Sequence, residues 1–209
     1  MQTTTKTSGA IIATDVTYEA YIDGFQGQRV EWVAGEVIEM PGVDEKHDAL
    51  TYFLRTLIAY LLEVSLGGRV VQDPVLMNLN PAVKSVRAPD LQVLPANVER
   101  LQGKEVRGPA DLVIEVVSPG SQRVDRVEKF AEYERGGVRE YWVLDFTYKE
   151  ALFFQLNADG LYERQQPDAD NLYQSAVLPN LRLPVDLLWR ESLPTIRETI
   201  ALVEAMLQR

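Results

Sequence analysis

The sequence contains no cysteine. That excludes disulfides, thiolate metal sites and a cysteine nucleophile. It has a single histidine, His47. No apolar run approaches the roughly 20 residues that a membrane-spanning helix needs. The N-terminal residues also lack a cationic and then hydrophobic signal pattern, so the chain is expected to be cytoplasmic with no membrane partner. Basic residues are in deficit, with 21 Lys and Arg against 31 Asp and Glu and a net charge of −10. A broad phosphate-binding surface is therefore not expected. A local basic region is still open, because Lys84, Arg87, Arg100, Lys104, Arg107, Arg123, Arg126, Lys129, Arg135 and Arg139 all fall in the middle segment.

What is present is a soluble composition, 46% hydrophobic and 25% charged over 209 residues, enough for one domain with a sizeable core. The most informative stretch runs from Ala110 to Phe146. Asp111 to Val117 is short, apolar and β-branched, which predicts a buried strand. Ser118-Pro119-Gly120-Ser121 ends it. Asp125 to Arg135 has Val127, Phe130, Ala131 and Glu134 at helical spacing, three of them apolar. Gly136-Gly137 stops that helix, and Glu140 to Phe146 is a second buried strand. Strand, helix and strand at this length form a βαβ unit with parallel strands.

Around this unit, residues 1–13 read as a disordered tail and 14–209 as a single domain. Thr14 to Ile22 predicts a short helix. Arg29–Val33 and Glu36–Met40 flank Ala34-Gly35 as a hairpin. Asp44 to Val64 predicts the longest helix, with Leu50, Phe53, Leu54, Leu57, Ile58, Leu61 and Leu62 along one face. Arg69 to Asn78 and Leu91 to Leu94 read as strands. Leu152–Leu156 and Leu161–Gln165 read as a second hairpin, and Thr195-Ile196-Arg197-Glu198 as the capping box of a final helix over 195–207.

Glu115 points to chemistry. An ionised carboxylate within Val113-Ile114-Glu115-Val116-Val117 is costly unless it is paired, hydrogen-bonded or metal-bound. The plainer reading is a strand-end salt bridge to an arginine. Asp90, after Pro89 and at the head of Leu91–Leu94, is a partner carboxylate, since the hairpin-like connection from Asn97 to Pro109 can bring the two strands together. Two such oxygen donors suit Mg²⁺ or Mn²⁺. Lys129 on the following helix would supply a cation, although an i,i+4 ion pair with Asp125 accounts for it equally. Asp111 shares the face of Glu115 but serves equally to cap a turn, and Tyr141 and Trp142 read as core.

Pro89-Asp90, Glu115-Val116-Val117-Ser118-Pro119, Asp125 to Lys129-Phe130, Tyr133, and Gly137-Val138-Arg139-Glu140-Tyr141-Trp142 resemble the Uma-two family of endonucleases, within the PD-(D/E)xK restriction-nuclease-like superfamily. The resemblance runs from roughly Thr17 to Trp189. It also takes in the Gly35 to Met40 hairpin strand, His47 and the Leu178-Pro179-Asn180-Leu181 turn. It implies an α/β (α+β) restriction-endonuclease-like core, a central mixed β-sheet flanked by helices. It further implies a metal-dependent nuclease that hydrolyses phosphodiester bonds in DNA and acts as a homodimer. Asp90, Glu115 and the carbonyl of Val116 would bind Mg²⁺ or Mn²⁺. The superfamily lysine, two residues after the acid, is replaced by Val117, so Lys129 would serve instead. Glu36 matches an additional acidic residue and His47 an accessory one. The alternative is a non-catalytic binding or assembly module on the same fold.

Overall fold

The computed structural model describes residues 9–208 except Gln26, Pro41, Ala96, Asn97, Pro119, Gly120 and Gln122. Within the expected tail, residues 1–8 lie outside the described residues. Ile11–Ala13 is not a tail but a strand, β1, because a neighbouring edge offers it backbone partners. Thr17 caps helix α1, Tyr18–Gly24, by accepting from the Ala20 N–H. The expected hairpin forms as β2, Val30–Val33, and β3, Glu36–Glu39. Ala34 and Gly35 take the positive φ angles that its two-residue turn requires.

Asp44 caps α2, Glu45–Leu61, which continues as a π-helical turn over Leu62–Leu66. With that turn the helix reaches the length and mean hydropathy of a membrane span, although Lys46, Asp48, Arg55 and Glu63 interrupt its apolar runs. Leu50, Phe53, Leu54, Leu57, Ile58 and Leu61 instead pack into the main core.

The stretch expected as one strand from Arg69 to Asn78 is two, β4, Arg69–Gln72, and β5, Leu76–Asn78, in different sheets. Pro74 lies between them and has no N–H to give to a ladder. Next come β6, Ser85–Arg87, and β7, Leu91–Leu94. The connection to the following strand carries a small hairpin of its own, β8, Leu101–Gln102, and β9, Glu105–Arg107. Then follow β10, Leu112–Val116, a π-helical turn over Val124–Glu128, α3, Lys129–Gly136, and β11, Glu140–Asp145. Strands β10 and β11 are parallel, as the βαβ reading requires. The chain finishes with β12, Glu150–Leu156, β13, Tyr162–Gln165, β14, Leu172–Gln174, β15, Arg182–Pro184, and α4, Ile196–Leu207, which opens on the expected capping box.

The central sheet is mixed, in the order β13-β12-β11-β10-β7-β4. Alternation along β10 divides its side chains between two cores. Leu112, Ile114 and Val116 join the cluster under α2, while Val113 and Val117 join the cluster with Tyr133 of α3. The two helices thus cover opposite faces of the sheet. A second sheet, β1-β3-β2-β6-β5-β9-β8, forms a separate layer beyond the one central sheet expected. Its short strands read individually, but nothing local fixes which of them pair. Helix α4 packs on α2 through Val203 and its neighbours, so these two helices spend apolar surface on each other within one chain.

Candidate active site

Helix α3 turns its charged side inward. Val127, expected on the buried face, is 58% exposed, whereas Asp125, Lys129, Glu132 and Tyr133 are buried. The π-helical turn that precedes α3 inserts extra backbone just where this polar face begins, and such turns are frequent at functional sites.

Asp90 directly precedes β7, whose antiparallel register pairs Leu91 with Ile114. Its Oδ2 therefore accepts from the Val116 N–H at 2.7 Å. The same oxygen lies 3.1 Å from His47 Nε2 in the first turn of α2. The backbone N–H of His47 is also held, by the cap residue Asp44. Burial lowers the imidazole pKa, but the hydrogen bond and charge of Asp90, helped by Asp44 and Asp125, outweigh it and the net shift is upward.

On the next strand Glu115 Oε1 meets Lys129 Nζ at 2.9 Å and accepts from the Tyr133 hydroxyl at 2.8 Å. Lys129 also pairs with Asp125 at 3.2 Å, so the i,i+4 bridge exists, but buried and shared with Glu115. Burial pushes the Glu115 carboxyl up to about 8, Asp90 and Asp125 add to this, and Lys129 opposes it. Burial disfavours a charged Lys129, yet Glu115 and Asp125 raise its pKa well above the ordinary lysine value.

Around these groups lies a cleft of about 300 Å³, which Asp90, Glu115, Val116, Lys129, His47 and Glu36 all help to line. Glu36 is exposed at this lining and bonds to no other described side chain. Val117 fills the core and cannot serve the cleft. Asp111 pairs with Arg100 and Arg139, away from the cleft. Tyr141 and Trp142 are core, as expected. The basic middle segment does not converge here. Arg107 and Arg126 pair with acids elsewhere, and the described lining has seven carboxylates against three Lys or Arg side chains.

Sequence reasoning missed a buried ionic network behind the cleft. Arg87 on β6 reaches Glu132 through Nε at 2.8 Å and Nη2 at 2.6 Å, and Glu31 on β2 through Nη1 at 2.8 Å. Ser85 donates to Glu132 as well. The second oxygen of Glu31 accepts the Ala88 N–H at 3.0 Å, which fixes the backbone leading into Pro89-Asp90. Burial opposes the charge of Glu31, but Arg87, Lys129 and the Ala88 N–H hold its pKa below the usual value. One network thus fixes the approach to Asp90 and the height of α3, hence of Lys129 and Tyr133, over Glu115. A signal existed: Glu132 lies three residues after Lys129, on the same side of one helix.

The donor set suits a hard cation. Among the described residues no cluster of three or more acidic, His or Cys side chains could hold a metal ion alone. Asp90 Oδ1 and Glu115 Oε2, however, accept no hydrogen bond from a described residue, while their partner oxygens are held. Mg²⁺ is commonly bound by one or two carboxylates together with water and substrate oxygens.

Comparison with known families matches residues 16–186 to the Uma2 family, described as "Putative restriction endonuclease". No functionally curated protein matches the chain. Among solved structures, a "putative nuclease belonging to DUF820" from Anabaena variabilis ATCC 29413 shares the fold. Its TM-score is 0.60 at 14% identity, over 83% of this chain and 90% of that one.

Proposed function

Taking as premise that the chain belongs to the Uma2 family, we propose that its cleft hydrolyses phosphodiester bonds in DNA with Mg²⁺ or Mn²⁺. Asp90, Glu115 and the Val116 carbonyl would hold the ion. In an extended strand a residue's N–H and C=O point to the same side, so the Val116 carbonyl lies on the side where its N–H meets Asp90. Such an ion, when bound, lowers the pKa of water and stabilises charge on a phosphoryl oxygen.

The observation that carries this reading is Lys129 Nζ at 2.9 Å from Glu115 inside a buried cleft. It supports the helix lysine as the substitute for the one absent at Val117. Held cationic by its carboxylates, Lys129 orients the attacking water or offsets charge developing on the phosphate. His47 fixes one oxygen of Asp90, and Tyr133 and Lys129 fix one of Glu115, leaving the other oxygens to coordinate. Glu36 at the lining would be an additional acid beside the ion. A symmetric dimer would present two such clefts to opposite strands.

The test is Mg²⁺- or Mn²⁺-dependent cleavage of plasmid and single-stranded DNA by wild type, Glu115→Ala and Lys129→Ala. Cleavage lost in both variants is the expected result. Loss in Glu115→Ala alone would remove Lys129 from the mechanism. The acidic lining favours a second reading, a binding module without catalysis. Absence of cleavage by the wild type, with no calorimetric signal for either ion, would select it.

A further inference from the structure

A second cavity, of about 660 Å³, adjoins the cleft and has a different character. Its walls come from α1, the start of β2, the β4–β5 connection and the β8–β9 hairpin. Arg29, Met40 and Ala88 line both spaces, so the two meet two residues from Asp90. We propose that this cavity takes one unstacked nucleobase of the substrate strand, beside the phosphate that the cleft would cleave. The proposal rests on the nuclease reading for the identity of that strand.

Four observations carry it. The volume falls within the several hundred Å³ typical of pockets that enclose a small organic ligand. The walls include Tyr18, Ile22 and Phe25 on or beside α1, all partly accessible, with Val75 and Leu76. An aromatic ring of this kind accepts any base by stacking. The charge balance also reverses. Arg29, Lys104 and Arg107 stand against Asp73 and Glu105, which suits a phosphodiester better than the acidic cleft does.

The fourth observation is Asp73. Its Oδ2 is taken by Arg29, while its Oδ1 is buried and has no hydrogen-bond partner among the described residues. A buried acceptor left unsatisfied costs free energy, and an N–H on the edge of an unpaired base would satisfy it. Within an intact duplex that edge is occupied by the opposite base. The cavity therefore favours single-stranded DNA, or a base turned out of the helix at an energetic cost.

The test uses the full chain in EDTA, where no cleavage occurs. A single-stranded oligonucleotide bearing 2-aminopurine, its duplex counterpart, and free deoxyadenosine monophosphate are titrated against wild type, Phe25→Ala and Asp73→Asn. The isosteric Asp73→Asn guards against loss of fold in the aromatic variant, and it presents an amide donor where an acceptor stood. Expected is quenching of the single-stranded probe, at least tenfold weaker binding in both variants, and weaker binding of the duplex. Equal affinity of wild type and both variants, or a duplex bound as tightly as the single strand, overturns the proposal. A mononucleotide bound as tightly as the oligonucleotide overturns the strand as occupant and makes this a free-nucleotide site. Plasmid cleavage that fails while quenching persists removes the nuclease reading and leaves the pocket. Cleavage that persists with variant-insensitive quenching removes the pocket alone.

Discussion

Glu115 and Glu140 stand on the adjacent parallel strands β10 and β11, both almost wholly buried, and are treated in opposite ways. Glu140 is saturated. Its Oε1 accepts from Trp142 Nε1 and the Tyr173 hydroxyl, and its Oε2 from the Ser175 hydroxyl and the N–H groups of Ala176 and Val177. Glu115 has one oxygen held by Lys129 and Tyr133 and the other without a described donor. A buried carboxylate with every lone pair engaged is a fastening. One with capacity to spare, facing a cleft, is a ligand in waiting.

The largest effect should come from breaking the fastening. Glu140→Gln would point amide hydrogens at the donors of Ser175 to Val177 and should cost roughly 3–5 kcal/mol. Chemical denaturation measures this, while cleavage per folded molecule stays near wild type. Next, Arg87→Met leaves Glu31 and Glu132 buried without their cation and should cost about 3 kcal/mol. It should also reduce cleavage, because Ala88 and α3 lose their common anchor; the conservative Arg87→Lys should restore stability only in part, lacking the fork that spans both acids.

The third change has the opposite sign. The Glu115 pKa rises from 4.5 unfolded to about 8 folded. Between those values the native state binds more protons than the unfolded state, so stability falls as pH rises through the window. Glu115→Gln should therefore stabilise the protein in EDTA at pH 8, by on the order of 2 kcal/mol. Its advantage should shrink to nothing as pH falls to 4.5. A Tm gain that did not depend on pH would refute this account. Smallest of all, Tyr133→Phe removes one of two donors to Glu115 and should change stability by about 1 kcal/mol and cleavage by tenfold or less.

The same contrast marks what the sequence could reveal. Both glutamates sit among β-branched and aromatic residues, and local pattern cannot tell them apart. The difference lies in donors from residues 173–177, far along the chain. The βαβ unit, α2 and the two hairpins were legible because turn residues and apolar spacing are local signals. The second sheet was not, since β5 pairs with β9 across a long interval and Pro74 alone marks the change of sheet. Asp90, Glu115, Lys129 and His47 carry signals local enough to mark them in the sequence, and they line one cleft. Glu31 and Arg87 carry no such signal, and Glu132 only its spacing from Lys129, because their meaning exists only when three elements converge. The expected apolar face of α3 held at Phe130, which packs on Phe154 and Tyr162, and failed at Val127, because Asp125, Lys129 and Glu132 are buried charges that apolar periodicity does not select.

The lysine's position on α3 also has a consequence for when the protein becomes competent. Were it at Val117, the strand carrying Glu115 would bring acid and cation together as soon as it paired. Here the ammonium arrives only when α3 docks, and in the docked helix Arg87 of the other sheet grips Glu132. A half-formed chain, or one whose layers have parted, keeps the acids but loses the cation beside them. The architecture works as an interlock, so hydrolytic competence would come with the finished fold and lapse when the fold loosens.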